Sequence, residues 1–193
     1  MDRTMRQVRT ARSPFTTRED GKDLHIEGYF AVFNSDYNIY EGLSESVDPE
    51  AFRNTLGGDI RALTDHDTRL VLGRTTAGTL NLRTDSHGLY GDITINPNDG
   101  DAMNLYARVQ RGDVDQCSFG FNILDEESEV RADGSVHWTI KEVELFEVSV
   151  CTVPAYEETN VVARKNDLKE IQKRAHEAWA LRMKERLKKG KEE

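Results

Sequence analysis

From Val136 to Val153 the chain alternates apolar and polar residues until Pro154 stops the pattern. A period near two suits a long strand with one buried face, and no helix can gather such residues on one side. Gln116 to Leu124 reads as its hairpin partner, reached through the acidic run Asp125 to Glu129 and the turn Ala132-Asp133-Gly134. Leu24 to Phe33, Ile60 to Thr64, Leu70 to Arg83 and Leu89 to Ile95 read as further strands, the last two joined through Asp85, Ser86, His87 and Gly88. Two helices are expected between them. Asp48-Pro49 gives an N-cap followed by proline at the first helical position, opening a two-turn helix to Leu56 that Gly57-Gly58 ends. Asn98 or Asp99 caps the second, where Ala102, Leu105, Tyr106 and Val109 recur at helical spacing until Arg111-Gly112. The fold class expected is α+β and β-rich: an antiparallel, closed or nearly closed β-barrel with peripheral helices.

Charge divides the chain into three parts. Residues 1–18 hold 5 basic and 1 acidic side chains, residues 19–162 hold 10 and 28, and residues 163–193 hold 11 and 6. The middle part is the expected folded domain. Residues 1–18, where Ser13-Pro14 breaks any helix, are expected as a mobile basic arm. Residues 163–193 are expected to form a basic amphipathic C-terminal helix, with Leu168, Ile171, Ala175, Ala178, Trp179, Met183 and Leu187 on one side. An acidic body repels phosphate backbones, so no specific nucleic-acid partner is expected. The mean hydropathy of -0.68 and the shortness of every apolar run leave no segment of the roughly 20 residues that a membrane helix needs. Two cysteines, Cys117 and Cys151, make no disulfide scaffold and point to a reducing compartment.

The residues that could carry chemistry fall in four strings. Thr64-Asp65-His66-Asp67 precedes Leu72-Gly73-Arg74-Thr75; then come Gln116-Cys117-Ser118-Phe119-Gly120-Phe121 and Glu144-Leu145-Phe146-Glu147-Val148-Ser149-Val150. They contain a hydroxyl nucleophile, an imidazole base and carboxylates, the three groups acyl transfer requires. Strand alternation puts Phe119 and Phe121 on one side and Ser118, Gly120 and Asn122 on the other. Cys117 and Ser118 therefore face opposite ways, and only one of them can meet His66. His25, His87, His137 and His176 read as edge, turn, polar-face and helix-surface residues. Asp65-His66-Asp67 lacks a second histidine or cysteine at ligand spacing, so no metal site is expected. No phosphate-binding loop or glycine-rich dinucleotide motif is present, and no cofactor is expected.

The opening strand with Gly28-Tyr29-Phe30-Ala31-Val32-Phe33, the Asp48-Pro49-Glu50-Ala51-Phe52 string, His66-Asp67 with Leu72-Gly73-Arg74, Asp85 through Leu89, Ser118-Phe119-Gly120-Phe121, and Glu144 through Ala155 together resemble the prohead (capsid maturation) serine proteases of tailed phages, which look like distant relatives of the herpesvirus assemblins. The resemblance spans about 22–160. It implies Ser118 as nucleophile and His66 as general base. Glu147 is the choice to orient His66, with Glu144 and Glu142 as rivals on the opposite strand face. The Gly73-Arg74 backbone or the Arg74 side chain stands as the candidate oxyanion donor. The activity implied is that of a serine endopeptidase that cleaves major capsid protein and scaffold segments, and itself, inside the assembling prohead in the host cytoplasm. A homodimer or higher oligomer is a further expectation. The alternatives are a catalytically inactive assembly or scaffold module of the same fold and a small-ligand-binding barrel.

Overall fold

The computed structural model describes residues 6–12 and 14–152, together with the helical positions 173, 177 and 180. Eleven strands and one α-helix are found among the described residues: β1 (Gln7–Arg12), β2 (Thr16–Asp20), β3 (Asp23–Val32), β4 (Tyr37–Tyr40), β5 (Leu43–Val47), β6 (Arg61–Thr64), β7 (Asp67–Arg74), β8 (Leu80–Thr84), β9 (Gly88–Ile95), α1 (Gly100–Arg111), β10 (Gln116–Val130) and β11 (Val136–Cys151). They form two sheets. The larger has seven strands in the order β1-β10-β11-β5-β4, with β6 pairing β11 and β7. The smaller is antiparallel, in the order β2-β3-β9-β8.

This corrects the expected barrel with peripheral helices: neither sheet closes. The 16 residues of β11 are long enough to seat two strands on the same side, β5 against Val136–Ile140 and β6 against Glu147–Val150, both parallel to it. The large sheet is therefore mixed, and it ends in free edges at β1, β4 and β7 instead of meeting itself. The alternation in β11 is interrupted by bulges opposite Gly120/Phe121 and near Asp125, which bend the hairpin while keeping its apolar face inward.

The core lies between the sheets. Phe30, Ile93 and Leu89 come from the small sheet, Phe119, Phe121, Val148 and Val150 from the large one, and Leu105 and Val109 from α1. Asp99 caps α1 by accepting from the backbone N–H groups of Asp101 and Ala102, and Gly112 ends it at φ 84.

Three further expectations need revision. Asp48-Pro49 does start a capped turn, with Glu50 N–H donating to Asp48 Oδ1 at 2.9 Å, but no α-helix follows. The segment winds through successive three-residue turns because the carbonyl of Ala51, which a helix would give to Thr55, accepts the Val143 N–H of β11 at 3.1 Å. The single strand expected over Leu70 to Arg83 is two, divided by a 3₁₀ turn at Thr75–Ala77. Within the stretch read as an arm, residues 7–12 and 16–20 are strands. In the stretch read as a terminal helix, Lys173, Glu177 and Ala180 are helical and the rest lies outside the described residues.

Candidate active site

β10 and β11 pair antiparallel with Ser118 opposite Ser149 and Gly120 opposite Glu147. Cys117, Phe119 and Phe121 turn into the core, as do Val148 and Val150. Ser118 and Gly120 on one strand, and Glu147 and Ser149 on the other, are therefore left on the opposite face. Cys117 is fully buried, with its Sγ 3.6 Å from the Phe30 carbonyl.

His66 is brought to this face by a two-residue hairpin turn between β6 and β7. Asp65 and His66 have φ values of 48° and 60°, and two consecutive positive φ values are what a type I′ turn requires. Side chains other than glycine enter that region at a cost and stay only where the surroundings fix them. Here Asp65 accepts from the Thr152 N–H at 2.7 Å, its own N–H donates to the Val150 carbonyl at 3.1 Å, and the His66 N–H donates to Ser149 Oγ at 3.2 Å. The turn is thereby stitched to the end of β11, beside Glu147.

The result is a hydrogen bond of 2.7 Å between His66 Nδ1 and Glu147 Oε1. An ionised carboxylate only accepts, so Nδ1 carries a proton; in the neutral ring this is the tautomer with its lone pair on Nε2, the one a general base needs. Glu147 also accepts from Ser149 Oγ at 2.7 Å and from Arg6 Nη2 at 2.7 Å. Burial pushes its carboxyl up, but the hydrogen bond and charge of His66 and the bonds from Ser149 and Arg6 outweigh that and hold it below the ordinary glutamate value. Gly120 leaves the room these groups occupy: a Cβ there would collide with Glu147 Oε1 and stand 2.9 Å from Arg6 Nε.

The other carboxylates are spent elsewhere. Asp67, next to His66 in sequence, is clamped by Arg69, which pulls it down to about 2. Glu144 accepts from Asn122 and Glu142 from Asn54. Arg74 pairs with Asp59 at 2.6 Å and its N–H donates to Thr79 Oγ1, so the expected oxyanion donor is engaged.

Ser118 stands on the same face but is not joined to His66. Its hydroxyl donates to the Arg9 carbonyl of β1 at 2.9 Å, with Thr10 Oγ1 3.5 Å away. His66 Nε2 instead has Cys151 Sγ at 3.9 Å. Burial pushes that thiol up, so it stays protonated and is no competing nucleophile. Ser149 is the residue that sequence reasoning missed. It touches Glu147, the His66 ring and the His66 backbone at once, and its only signal was a spacing of two from Glu147, which puts both on one strand face.

Known proteins share this sequence pattern. The family described as caudovirus prohead serine protease matches residues 13–174. The prohead protease of Enterobacteria phage HK97 is 31% identical over 151 residues, covering 76% of this chain and 63% of that protein. The chain thus spans just under two thirds of the length of the curated relative it matches. Among solved structures, the bacteriophage T4 capsid assembly protease aligns with a TM-score of 0.49 and 14% identity over 77% of this chain and 98% of its own.

Proposed function

Because the chain belongs to the caudovirus prohead serine protease family, we propose that it is a serine endopeptidase of prohead maturation, with Ser118 as nucleophile, His66 as general base and Glu147 as the group that orients the base. The single observation carrying this reading is the 2.7 Å bond between His66 Nδ1 and a buried, ionised Glu147, which fixes the ring by its Nδ1 side on the face that also holds Ser118.

In the reaction the Ser118 hydroxyl turns from the Arg9 carbonyl to His66 Nε2 and gives up its proton there. The Oγ attacks a peptide carbonyl, forming a C–O bond. The tetrahedral intermediate collapses with cleavage of the C–N bond, and the imidazolium returns the proton to the departing amine. Water, deprotonated by the same Nε2, then hydrolyses the ester and restores Ser118. Glu147 compensates the imidazolium charge at each crest. Ser149 is a positioning residue, and it is a poor nucleophile because its proton is already committed to Glu147 on the Nδ1 side of the ring.

The substrates in this reading are the major capsid protein and scaffold segments, met inside the assembling capsid in the host cell. The basic segment 163–193 would dock on acidic partners there. Reaction with a fluorophosphonate followed by peptide mapping tests the site. An adduct on Ser118 that disappears in the His66→Ala variant is the expected result, and an adduct on Ser149 would overturn the assignment.

A further inference from the structure

His66 enters the site from the tip of the β6–β7 hairpin, yet the groups that its ring meets among the described residues all belong to β11: Glu147 Oε1 at 2.7 Å, Ser149 Oγ at 3.3 Å and Cys151 Sγ at 3.9 Å. The aim of the ring therefore depends on how the hairpin tip is fixed to that strand. The parallel ladder of β6 on β11 ends with Thr64 opposite Val150, just short of the turn.

Beyond the ladder, the side-chain bonds that tie the tip to the end of β11, apart from those of His66, are made by Asp65 among the described residues. Its Oδ1 accepts from the Thr152 N–H at 2.7 Å, and its two carboxylate oxygens take the Thr152 hydroxyl at 3.1 and 3.0 Å. Thr152 directly follows the last residue of β11, so the clamp closes where the strand stops. The other flank of the tip is fixed locally: the Arg69 N–H and guanidinium donate to Asp67 within β7.

Position 65 makes two demands. Its φ of 48° lies in the left-handed region, which glycine enters freely and which asparagine and aspartate tolerate better than other side chains. It must also offer an acceptor to the Thr152 N–H. Glycine meets the first demand and fails the second. Asparagine meets both, because its amide oxygen can accept the N–H while its amide nitrogen donates to the Thr152 hydroxyl.

Resting on the peptidase reading, we propose that Asp65 is a positioning residue for the general base: through Thr152 it holds the hairpin tip where the His66 ring meets Glu147, and it acts by contact and not by charge. The leverage is large, since misplacing a reacting group by about 1 Å can cost on the order of 10²-fold in rate.

The test compares Asp65→Gly, Asp65→Asn and Thr152→Val with wild type in the full chain. The readouts are the rate of fluorophosphonate labelling at Ser118 and the downfield proton resonance of His66 Nδ1, assigned by its absence from His66→Ala, with thermal unfolding as a check on folding. Asp65→Gly relieves the turn, so it is expected to fold, to label about 10²-fold more slowly and to lose the resonance to solvent exchange as the bond to Glu147 loosens. Asp65→Asn should label within about threefold of wild type and keep the resonance. Thr152→Val retains the backbone donor and should lose less than Asp65→Gly; the two combined should be no slower than Asp65→Gly alone, because they remove one contact. Wild-type labelling with an intact resonance in Asp65→Gly would overturn the proposal. An equal loss in Asp65→Asn would overturn contact in favour of charge, and additive losses in the double variant would overturn Thr152 as the anchor. No labelling of Ser118 in any chain, wild type included, would instead reject the peptidase reading; the resonance would then decide on Asp65, its loss in Asp65→Gly upholding the positioning role and its persistence overturning it.

Discussion

Glu147 is nearly inaccessible and still ionised, because the histidine, serine and arginine bonded to it outweigh its desolvation. A glutamine side chain in its place would present an N–H to Nδ1 and favour the tautomer with its proton on Nε2, the wrong one for a base. Glu147→Gln should therefore lower kcat by about 10³–10⁴-fold. The same variant changes the pH response of stability. A carboxyl held below its unfolded value stabilises the fold above the ordinary glutamate range, and that contribution is lost as pH falls through its folded value. Urea midpoints at neutral and acidic pH should show wild type losing more stability on acidification than Glu147→Gln; equal losses would mean that Glu147 is not held low. The presence of Ser118, His66 and Glu147 on their strings was legible from residue type and family resemblance. Glu147 was chosen over Glu144 and Glu142 on the resemblance; the physical reason it meets the ring, the register of β10 on β11 and the Asp65-His66 turn, is not written in the sequence.

Elements were legible wherever one face is buried. β3, β9, α1 and the β10/β11 hairpin have apolar residues at the spacing their geometry imposes, so their sequences predict them. The failures share a cause in tertiary partners. β1, with the sequence Gln-Val-Arg-Thr-Ala-Arg, has no alternation to read and is held by the edge of β10 and by Arg9 on Glu45. The Asp48 segment carries good helix-start residues yet gives the Ala51 carbonyl to β11. The barrel was expected from antiparallel hairpins and the likeness to assemblins, whereas the parallel seating of both β5 and β6 on one long strand is a non-local property. At this scale the hairpin depends on its aromatic layer. Phe119 is 3% exposed, stacked on Phe121 with ring centroids 4.7 Å apart and edge-on to Phe52 at 5.6 Å. Phe119→Ala should cost about 3–5 kcal/mol of unfolding free energy, measurable by urea denaturation, and a loss below about 1 kcal/mol would show the layer to be slack.

For the whole molecule, the acidic body and the basic ends suit the proposed function, a protease that works among capsid and scaffold segments. In that reading the catalytic face is assembled on the large sheet, where Ser118 on β10 and Glu147 on β11 share one side. The proposed mechanism requires that Ser118 be the nucleophile that cleaves capsid protein. The intact mass of the major capsid protein, after co-expression with the wild-type chain or with Ser118→Ala, reads that cleavage without intermediaries. A capsid protein shortened by the wild type alone is the expected result. One that stays full length with both chains, or shortens with both, would refute Ser118 as the nucleophile of capsid cleavage.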